Sequence, residues 1–321
     1  MRMLNMKKKL IRAVMLSMMT VMSPMAGSAQ AAEDTSLQAV QTQKQQLPFR
    51  SAKIDHNITR IKDMTGDMIY LVEGKDKAAL IDTGIGVGSL KTYVEKLTNK
   101  PLVVILTHGH VDHASGTAEF EDVYMSAKDK DLFKEHTAFA SRTGFIGGTN
   151  PQWAATVNTS DYRAEDNADR FKELKAGMTF DLGGVHLDIY DIPGHTQGMK
   201  AVLLRENRAL ITGDGANMFT FLFGKETLGL NSYEKNLRKL QQETAGKYDK
   251  VYCSHGSGDL TVDYLARLIE DCQQIKAGKD DKVPFEFMGQ KANIAYEIGP
   301  DHNRLDGGIG NIVYAPERIN E

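Results

Sequence analysis

Three histidines and one aspartate fall within six residues of the segment LTHGHVDHASG, directly after a strongly apolar run. Imidazole nitrogen and carboxylate oxygen are ligands that Zn²⁺ favours, and they also suit iron and manganese. Ligands this close in sequence must turn inward from several directions, which a loop allows and a regular strand or helix does not. His108 and His110 can converge on one ion while Asp112 and His113 turn to a second. The segment therefore predicts half of a two-metal site.

Four side chains cannot fill two coordination shells, and three further candidates occur later in the chain. Each lies beside a glycine after an apolar segment that is predicted to be a strand: His195 in DIPGHTQG, Asp214 in LITGDG and His255 in VYCSHG. Where strands lie side by side, the residues that follow their ends meet along one rim. We therefore expect these residues to complete the site.

The elements that must position these residues come in two similar halves. In the first half, strands are predicted within residues 56–84, and a helix follows whose apolar positions are Leu90, Val94 and Leu97. The run PLVVILT immediately before the histidine cluster is continuously apolar and of strand length. Such a run predicts a strand that is buried on both faces.

The second half repeats this plan. Strands are predicted within residues 178–214 and 250–256, and helices at residues 231–245 and 260–278, with Gly278 ending the second helix. Strands followed by helices, twice over, predict two sheets packed face to face with helices outside.

Taken in order, THGHVDH, PGHTQG, TGD and SHG resemble the metallo-β-lactamase superfamily of hydrolases, and the resemblance covers roughly residues 54–275. It implies an α+β fold of the αββα type, in which two mixed sheets pack face to face with helices outside. It also implies a dinuclear centre with two Zn²⁺, for which iron or manganese are the alternatives. In this centre His108, His110 and His195 bind one ion, Asp112, His113 and His255 bind the other, Asp214 bridges them, and Asp82 in LIDTG orients the histidine loop from behind.

The same resemblance implies the chemistry. A hydroxide held between the two ions attacks the carbonyl carbon of an ester, lactone or thioester, and Asp112 accepts or delivers a proton as the leaving group departs. The commonest metallo-β-lactamases have cysteine where this chain has Asp214, which favours lactonase-, glyoxalase II- or esterase-like members. β-Lactam hydrolysis on the same site is the alternative. An iron-dependent persulfide dioxygenase-like oxidoreductase and a non-catalytic metal-binding protein are further alternatives.

Residues 1–31 have the layout of a secretory signal peptide: a lysine triplet, a short apolar middle, and an A-x-A site at Ala29–Ala31. We expect cleavage before Ala32 and export, which makes the protein secreted or periplasmic. Residues 32–50 are polar and glutamine-rich, and they predict a flexible lead-in. We expect residues 51–321 to form a single metallo-β-lactamase-fold domain.

Cleavage would change the charge of the chain, because the first 31 residues hold five basic and no acidic side chains. The formal net charge then falls from −3 to −8. A mildly acidic exported protein has little attraction for nucleic acid or anionic lipid. We therefore predict a small-molecule substrate, no nucleic-acid partner and no stable membrane anchor after signal cleavage, and we leave the oligomeric state open.

Two segments each have two interpretations. Phe219, Phe221 and Phe223 alternate shortly after Asp214, so they either line an apolar substrate pocket beside the metals or form the buried face of a strand. Residues 127–172, which hold the only tryptophan, form either a lid over the site or a surface excursion with its own small apolar cluster.

The remaining unusual residues receive no site role. Cys253 and Cys272 are either bridged or two small buried hydrophobes. His136 lies outside the ligand pattern, and we assign it to the surface or the core. The glycine-rich sequence after Ala277 gives no pattern that predicts a structure.

Overall fold

The computed structural model describes residues 48–321. The predicted signal peptide and residues 32–47 of the predicted lead-in lie outside the described residues. Phe49 is buried, its ring centroid lies 5.5 Å from that of Tyr93, and the first strand begins at Arg50. The folded part of the chain therefore already includes residues 48–50, which the sequence analysis assigned to the lead-in.

Seven strands form the first sheet, and they lie side by side in chain order. Neighbouring strands are antiparallel from the first to the fourth and parallel from the fourth to the seventh, so the sheet is mixed. The strands are β1 (Arg50–Asp55), β2 (Ile58–Lys62), β3 (Met68–Glu73), β4 (Ala78–Ile81), β5 (Leu102–Ile105), β6 (Val123–Met125) and β7 (Lys172–Glu173).

Six strands form the second sheet, which is also mixed. Its strands are β8 (Thr179–Asp181), β9 (His186–Asp191), β10 (Lys200–Leu204), β11 (Ala209–Gly213), β13 (Lys250–Cys253) and β14 (Asp259–Leu260). Their order in space is β14-β13-β11-β10-β9-β8. β11 and β13 are parallel neighbours, and the other pairs are antiparallel.

The two sheets pack face to face, and alternate residues of their central strands point to opposite sides. In β3, Tyr70 and Val72 pack against the second sheet. Ile69 and Leu71 pack on the outer side, beneath the helices. Both sets are buried, which explains why such strands are continuously apolar in sequence. The predicted αββα sandwich of two mixed sheets is confirmed.

Residues 48–321 contain seven α-helices, which lie outside the sheets or in the loops between strands. They are α1 (Leu90–Val94), α2 (Val111–Ala114), α3 (Lys130–His136), α4 (Phe139–Thr149), α5 (Pro151–Ala154), α6 (Leu230–Glu243) and α7 (Tyr264–Lys276). α1 and α3 pack on the first sheet, and α6 and α7 pack on the second. Within this part of the chain, no helix combines the length and the apolar character that crossing a bilayer requires.

The first helix is shorter than the sequence predicts. It ends at Val94, and the backbone N–H groups of Lys96 and Leu97 then bond only three residues back, to the carbonyl groups of Tyr93 and Val94. This tighter winding rotates Leu97 off the apolar face, and its side chain is 36% exposed. The prediction that Leu97 shares a buried face with Leu90 is therefore wrong.

The end of the chain forms a third sheet that the sequence analysis did not predict. Its strands are β12 (Phe219–Leu222), β15 (Val283–Phe287), β16 (Gln290–Ile294) and β17 (Asn311–Tyr314), in the order β12-β17-β16-β15. β15, β16 and β17 are short and are joined by glycine-containing segments, and none has a periodic pattern long enough to be recognised. β12 comes earlier in the chain, before two helices and two strands of the second sheet. Ile312 and Tyr314 of β17 pack into the core beneath α6 and α7. The third sheet is thereby joined to the sandwich.

Residues 127–172 pack against the loop that carries the histidine cluster. Phe145 and Ile146 of α4 share an apolar cluster with Val111, the first residue of α2. Trp153 of α5 is half-buried at the edge of the same cluster. The segment is therefore a packed part of the fold beside the histidines, and its role as a lid stays a prediction.

The two cysteines are free thiols in the structure, and both are buried. Cys253 ends β13, and Cys272 lies within α7. Burial raises the pKa of the Cys253 thiol to about 11. At neutral pH this thiol is therefore protonated and packs as a small hydrophobe.

Ile312→Ala tests whether the third sheet belongs to the same cooperative unit as the sandwich. The side chain is fully buried in the core beneath α6 and α7, so its truncation should lower the free energy of unfolding by about 2–5 kcal/mol. The control is Val262→Ala, at a position that is 53% exposed, and it should change this free energy by less than about 0.5 kcal/mol. Urea unfolding followed by fluorescence and by circular dichroism measures both. A separate early transition seen by one probe alone would contradict the prediction.

Candidate metal centre

The candidate ligands all leave from the ends of strands. His108–His113 follow β5, Asp214 follows β11, His255 follows β13, and His195 lies in the turn between β9 and β10. Because β11 and β13 are parallel neighbours, Asp214 and His255 leave the second sheet at the same edge. The structure brings all of these side chains together at one place.

His108, His110 and His195 form a first group, whose ligand atoms lie within 4.8 Å of one another. His110 Nδ1 is 2.8 Å from His195 Nε2. The Nε2 atom of His108 is buried and has no hydrogen-bond partner. A buried polar atom in this state costs free energy unless a ligand such as a cation binds to it.

The protonation state of the first group suits metal binding. Burial and the neighbouring histidines hold the pKa of His108 well below its usual range. Burial and the nearby His195 lower the pKa of His110 to about 4. Both rings are therefore neutral at pH 7, and neutral imidazole is the form that binds a metal ion.

Asp112, His113 and His255 form a second group. The Nε2 atoms of the two histidines are 3.3 Å apart, and the Asp112 oxygens lie 3.7 Å from His113 Nε2 and 3.8 Å from His255 Nε2. Asp214 Oδ2 is 2.9 Å from His255 Nε2 and 3.6 Å from His113 Nε2. The same oxygen is 3.7 Å from His195 Nε2 of the first group. It therefore lies between the two groups, where a bridging ligand has to be.

Charge in the second group is balanced by protons on the imidazole rings. Burial opposes a charge on both rings, but nearby carboxylates outweigh it. Asp112 and Asp214 raise the pKa of His113 well above its usual value. Asp214 and Asp67 do the same for the pKa of His255. Burial is also outweighed at Asp214, whose pKa these rings hold well below its usual range. Cations binding here would replace those protons. The donor set of both groups thus fits two divalent cations.

Asp82 lies behind the histidine loop, where the sequence analysis placed it. Its carboxylate accepts hydrogen bonds from the backbone N–H and the hydroxyl of Thr107, both at 2.7 Å, and lies 3.1 Å from His113 Nδ1. The Thr107 hydroxyl also lies 3.0 Å from His108 Nδ1. Asp82 itself has φ 65°, an uncommon conformation for a residue other than glycine. It therefore links the end of β4 to two candidate ligands.

Asp67 is a partner of the site that the sequence analysis missed. Its carboxylate lies 2.7 Å from His255 Nδ1 and so directs the opposite nitrogen of that ring into the site. Asp63 fixes the loop, because one of its oxygens accepts hydrogen bonds from the backbone N–H groups of residues 65–67 at 2.9, 3.0 and 3.1 Å. Asp67 stands before an apolar strand rather than after one, so the strand-end pattern did not select it.

Two further contacts orient the first group. His195 Nδ1 is 2.9 Å from the carbonyl oxygen of Phe221. Glu226 Oε1 lies 3.7 Å from His110 Nε2, the ring nitrogen that points away from the site. Burial would raise the pKa of Glu226, but the nearby His110 lowers it to about 2. β12 therefore places a carbonyl beside this group, and the loop after β12 places a carboxylate there.

His136 also lies beside the site rather than apart from it. Its ring stacks on that of His110, with centroids 4.8 Å apart and planes 28° apart. His136 is the last residue of α3, so the segment 127–172 contributes a ring to the surroundings of the first group. No local spacing links His136 to the ligand pattern, so it could not be recognised from the sequence as a neighbour of the site.

Phe219, Phe221 and Phe223 are half-buried residues in and just after β12. The Phe221 ring lies 5.8 Å from those of Phe285 and Phe287, and the Phe223 ring lies 6.1 and 6.4 Å from the same two. These phenylalanines therefore form one face of the third sheet, and through the carbonyl group of Phe221 that face adjoins His195. Their contact with a substrate stays a prediction.

Comparison with known proteins agrees with this architecture. Human acyl-coenzyme A thioesterase MBLAC2 is 25% identical over 163 residues, which cover 46% of this chain and 57% of the human protein, or little more than half its length. Hydroxyacylglutathione hydrolase GloC from Haemophilus influenzae is 25% identical over 196 residues, which cover 59% of this chain and 84% of that protein. The solved structure of the stereoselective inverting sec-alkylsulfatase Pisa1 from Pseudomonas sp. has a TM-score of 0.55 at 14% identity, covering 72% of this chain and 42% of that one, and shows likeness of fold alone.

The match to a protein-family model shows to which family the chain belongs. The model described as the metallo-beta-lactamase superfamily matches residues 67–255, which is more than half of the chain. The matched range begins at the carboxylate partner of His255 and ends at His255 itself, so it contains every candidate ligand described above. The chain therefore belongs to the metallo-β-lactamase superfamily.

Proposed function

We propose that this protein is an exported dinuclear zinc hydrolase that cleaves an ester, a lactone or a thioester. The observation that carries the proposal is the position of Asp214 Oδ2 between a group of three histidines and a group of two histidines and one carboxylate. Two relatives support thioester cleavage, since one is named an acyl-coenzyme A thioesterase and the other a hydroxyacylglutathione hydrolase.

In this proposal each group would hold one Zn²⁺, and Asp214, which lies near histidines of both groups, would be a further ligand. When bound, the two ions would polarise the substrate carbonyl and supply a deprotonated water at neutral pH. The chain supplies the orientation of the ligands. Asp82 holds His113 and Asp67 holds His255 by their Nδ1 atoms, so that each ring presents Nε2 to the site.

Asp112 carries the proton in this proposal. Its side chain is 11% exposed, and its two oxygens face the Nε2 atoms of His113 and His255. A carboxylate oxygen at this position accepts a proton from the attacking water and delivers it to the leaving oxygen or sulfur as the bond to the carbonyl carbon breaks.

Export rests on the signal-peptide pattern of residues 1–31, with cleavage before Ala32. An acidic mature chain agrees with a small-molecule substrate rather than a nucleic acid. Secreted or periplasmic protein meets its substrate outside the cytoplasm, where β-lactams also occur. β-Lactam hydrolysis is therefore included in the test below.

The acyl part of the substrate has an apolar surface available beside the site. Phe221 adjoins His195 through its carbonyl group, and its ring lies 5.2 Å from that of Phe223. Phe287 packs both on these two rings and on the apolar cluster that contains Val111. Val111 stands between two candidate ligands in the sequence. The half-buried phenylalanines thus reach from one group of ligands toward the other, and we propose that they contact an apolar acyl group.

The proposal is tested by hydrolysis of a lactone, a thioester, an aryl ester and a chromogenic β-lactam, each with and without chelator. Zinc-loaded protein purified from outside the cytoplasm is used, and its mass shows whether residues 1–31 are absent. We expect turnover of at least one of the first three substrates and its loss with chelator, because the nucleophile depends on the bound ions. Turnover of the β-lactam alone would select the alternative. Two bound ions with no turnover of any substrate would contradict the proposed function.

Removal of a ligand should abolish turnover without unfolding the chain. We expect His110→Ala and Asp214→Ala each to lower kcat by at least about 100-fold, because one ion is lost or misplaced. The control is His56→Ala, since His56 is 71% exposed and lies outside the site. Circular dichroism checks the fold, and metal analysis gives the number of ions bound. Activity within about twofold of the parent in both ligand variants would show that these side chains are not needed.

Phe223→Ala tests the apolar acyl surface with thioesters of two acyl lengths. Loss of the ring should lower kcat/KM for an octanoyl thioester by about tenfold, which corresponds to ~1.4 kcal/mol of lost apolar contact. Turnover of the acetyl thioester should change by less than about twofold, since a short acyl group does not reach the ring. Phe180→Ala is the control, because Phe180 packs on Tyr124 in the first sheet with centroids 4.9 Å apart. Equal losses for both substrates would argue against this surface.

A further inference from the structure

Asp129 is a buried carboxylate outside the ligand set, and its side chain joins the two loops that supply the first group. It is 1% exposed and lies immediately before α3. Its carboxylate accepts hydrogen bonds from Gly109 N–H at 3.1 Å, from the Thr196 hydroxyl at 2.7 Å and from Gly198 N–H at 2.7 Å.

Two of these donors directly flank candidate ligands, and the third, Gly198, lies three residues after His195. Gly109 stands between His108 and His110, and Thr196 follows His195. The first loop follows β5 of the first sheet, whereas the second connects β9 and β10 of the second sheet. The carboxylate therefore bridges two sheets at the place where three ligands must meet one ion.

The approach of Asp129 to both loops is too close for any residue but glycine at two positions. A Cβ atom on Gly198 would lie 2.5 Å from Asp129 Oδ1, and one on Gly109 would lie 2.9 Å from the Asp129 carbonyl oxygen. At the first distance the Asp129 carboxylate would have to shift, and at the second the backbone would have to move. The two loops thus pack closely on Asp129, one against its side chain and the other against its main chain.

A purely local role for Asp129 does not agree with these contacts. The residue stands at the N-cap position of α3, but its side chain makes no capping hydrogen bond. The three hydrogen bonds described above all run to the ligand loops instead. A second link joins the ends of these loops, because the backbone N–H of Lys200, the first residue of β10, donates a hydrogen bond to the carbonyl of Thr107 at 2.9 Å.

We propose that Asp129 is a positioning residue that sets the distance between His195 and the pair His108 and His110, and thereby the affinity of this group for a divalent cation. This inference rests on the proposed function only in taking these histidines as ligands. It predicts that a change at Asp129 weakens one of two bound ions and leaves the other in place.

Asp129→Asn tests the inference, because it keeps the size of the side chain and removes one acceptor. Whichever way the amide turns, its NH₂ group faces either Gly109 N–H or Gly198 N–H. Metal-free protein is titrated with Zn²⁺ against a chromophoric chelator. We expect affinity for one ion to fall by at least about tenfold and affinity for the other to change by less than about threefold. The absorption bands of the Co²⁺-loaded protein should change in intensity, because the coordination geometry of one ion changes.

Two further variants separate positioning from general stability. Asp271→Asn removes another buried carboxylate, which binds Arg304 at 3.0 Å far from the ligand loops in sequence. It should lower the melting temperature and leave both Zn²⁺ affinities within about twofold. Thr196→Val removes a single hydrogen bond to Asp129 and should give a loss at the same ion of about threefold to tenfold. If Asp129→Asn does not fold, the Zn²⁺ affinities of Thr196→Val test the role of Asp129 instead.

Unchanged affinity for both ions in Asp129→Asn, or in Thr196→Val if the former does not fold, would overturn the inference. So would an equal loss at both ions. A parent protein that binds no Zn²⁺ would overturn the proposed function as well. A parent protein that binds two ions and hydrolyses none of the test substrates would overturn the proposed function while the affinity data still decide the role of Asp129.

Discussion

The close approach of the Asp214 carboxylate to two groups of histidines is the interaction on which the rest of the site depends. Burying imidazole rings and carboxylates together costs free energy unless every polar atom has a partner. The outer nitrogen atoms have such partners, among them Thr107, Asp82, Asp67 and the carbonyl of Phe221. The inner nitrogen and oxygen atoms face one another instead. These inner atoms are therefore suited to binding cations, whereas without cations their burial would cost free energy.

The sandwich keeps these inner atoms in place because the ligands leave from strands that cannot shift. β3, β4, β5, β10 and β11 are buried on both faces, so a slip in register by one residue would exchange the side chains that pack in the two apolar layers and would disrupt both. The loops between strand and ligand are short and are fixed by hydrogen bonds such as that from Thr107 to Asp82. Preorganisation of this kind determines how tightly and with what geometry an ion is held.

Features that depend on residues close together in the sequence could be predicted, and contacts between residues far apart in the sequence could not. The histidine cluster lies within six residues, and continuous apolar runs mark the buried strands, so the sandwich and the convergence of the strand ends followed from short windows. Asp67 and Asp129 are single acids, and their partners lie far away in sequence, at His255 and at Thr196. The prediction for Leu97 was wrong for a different reason, because the backbone winds more tightly after Val94 and moves the Leu97 side chain off the helix face.

The third sheet has a consequence for the order in which the site is made. His195 is held by the carbonyl of Phe221 in β12, and the sheet neighbour of β12 is β17, close to the end of the chain. Loop closure between such distant segments is slow and comes late in folding. Until β17 has paired with β12, the strand that holds His195 lacks its sheet neighbour, although the histidine loop is already present. Assembly of a complete first group therefore waits for the third sheet, so that tight metal capture marks a chain in which this sheet has formed.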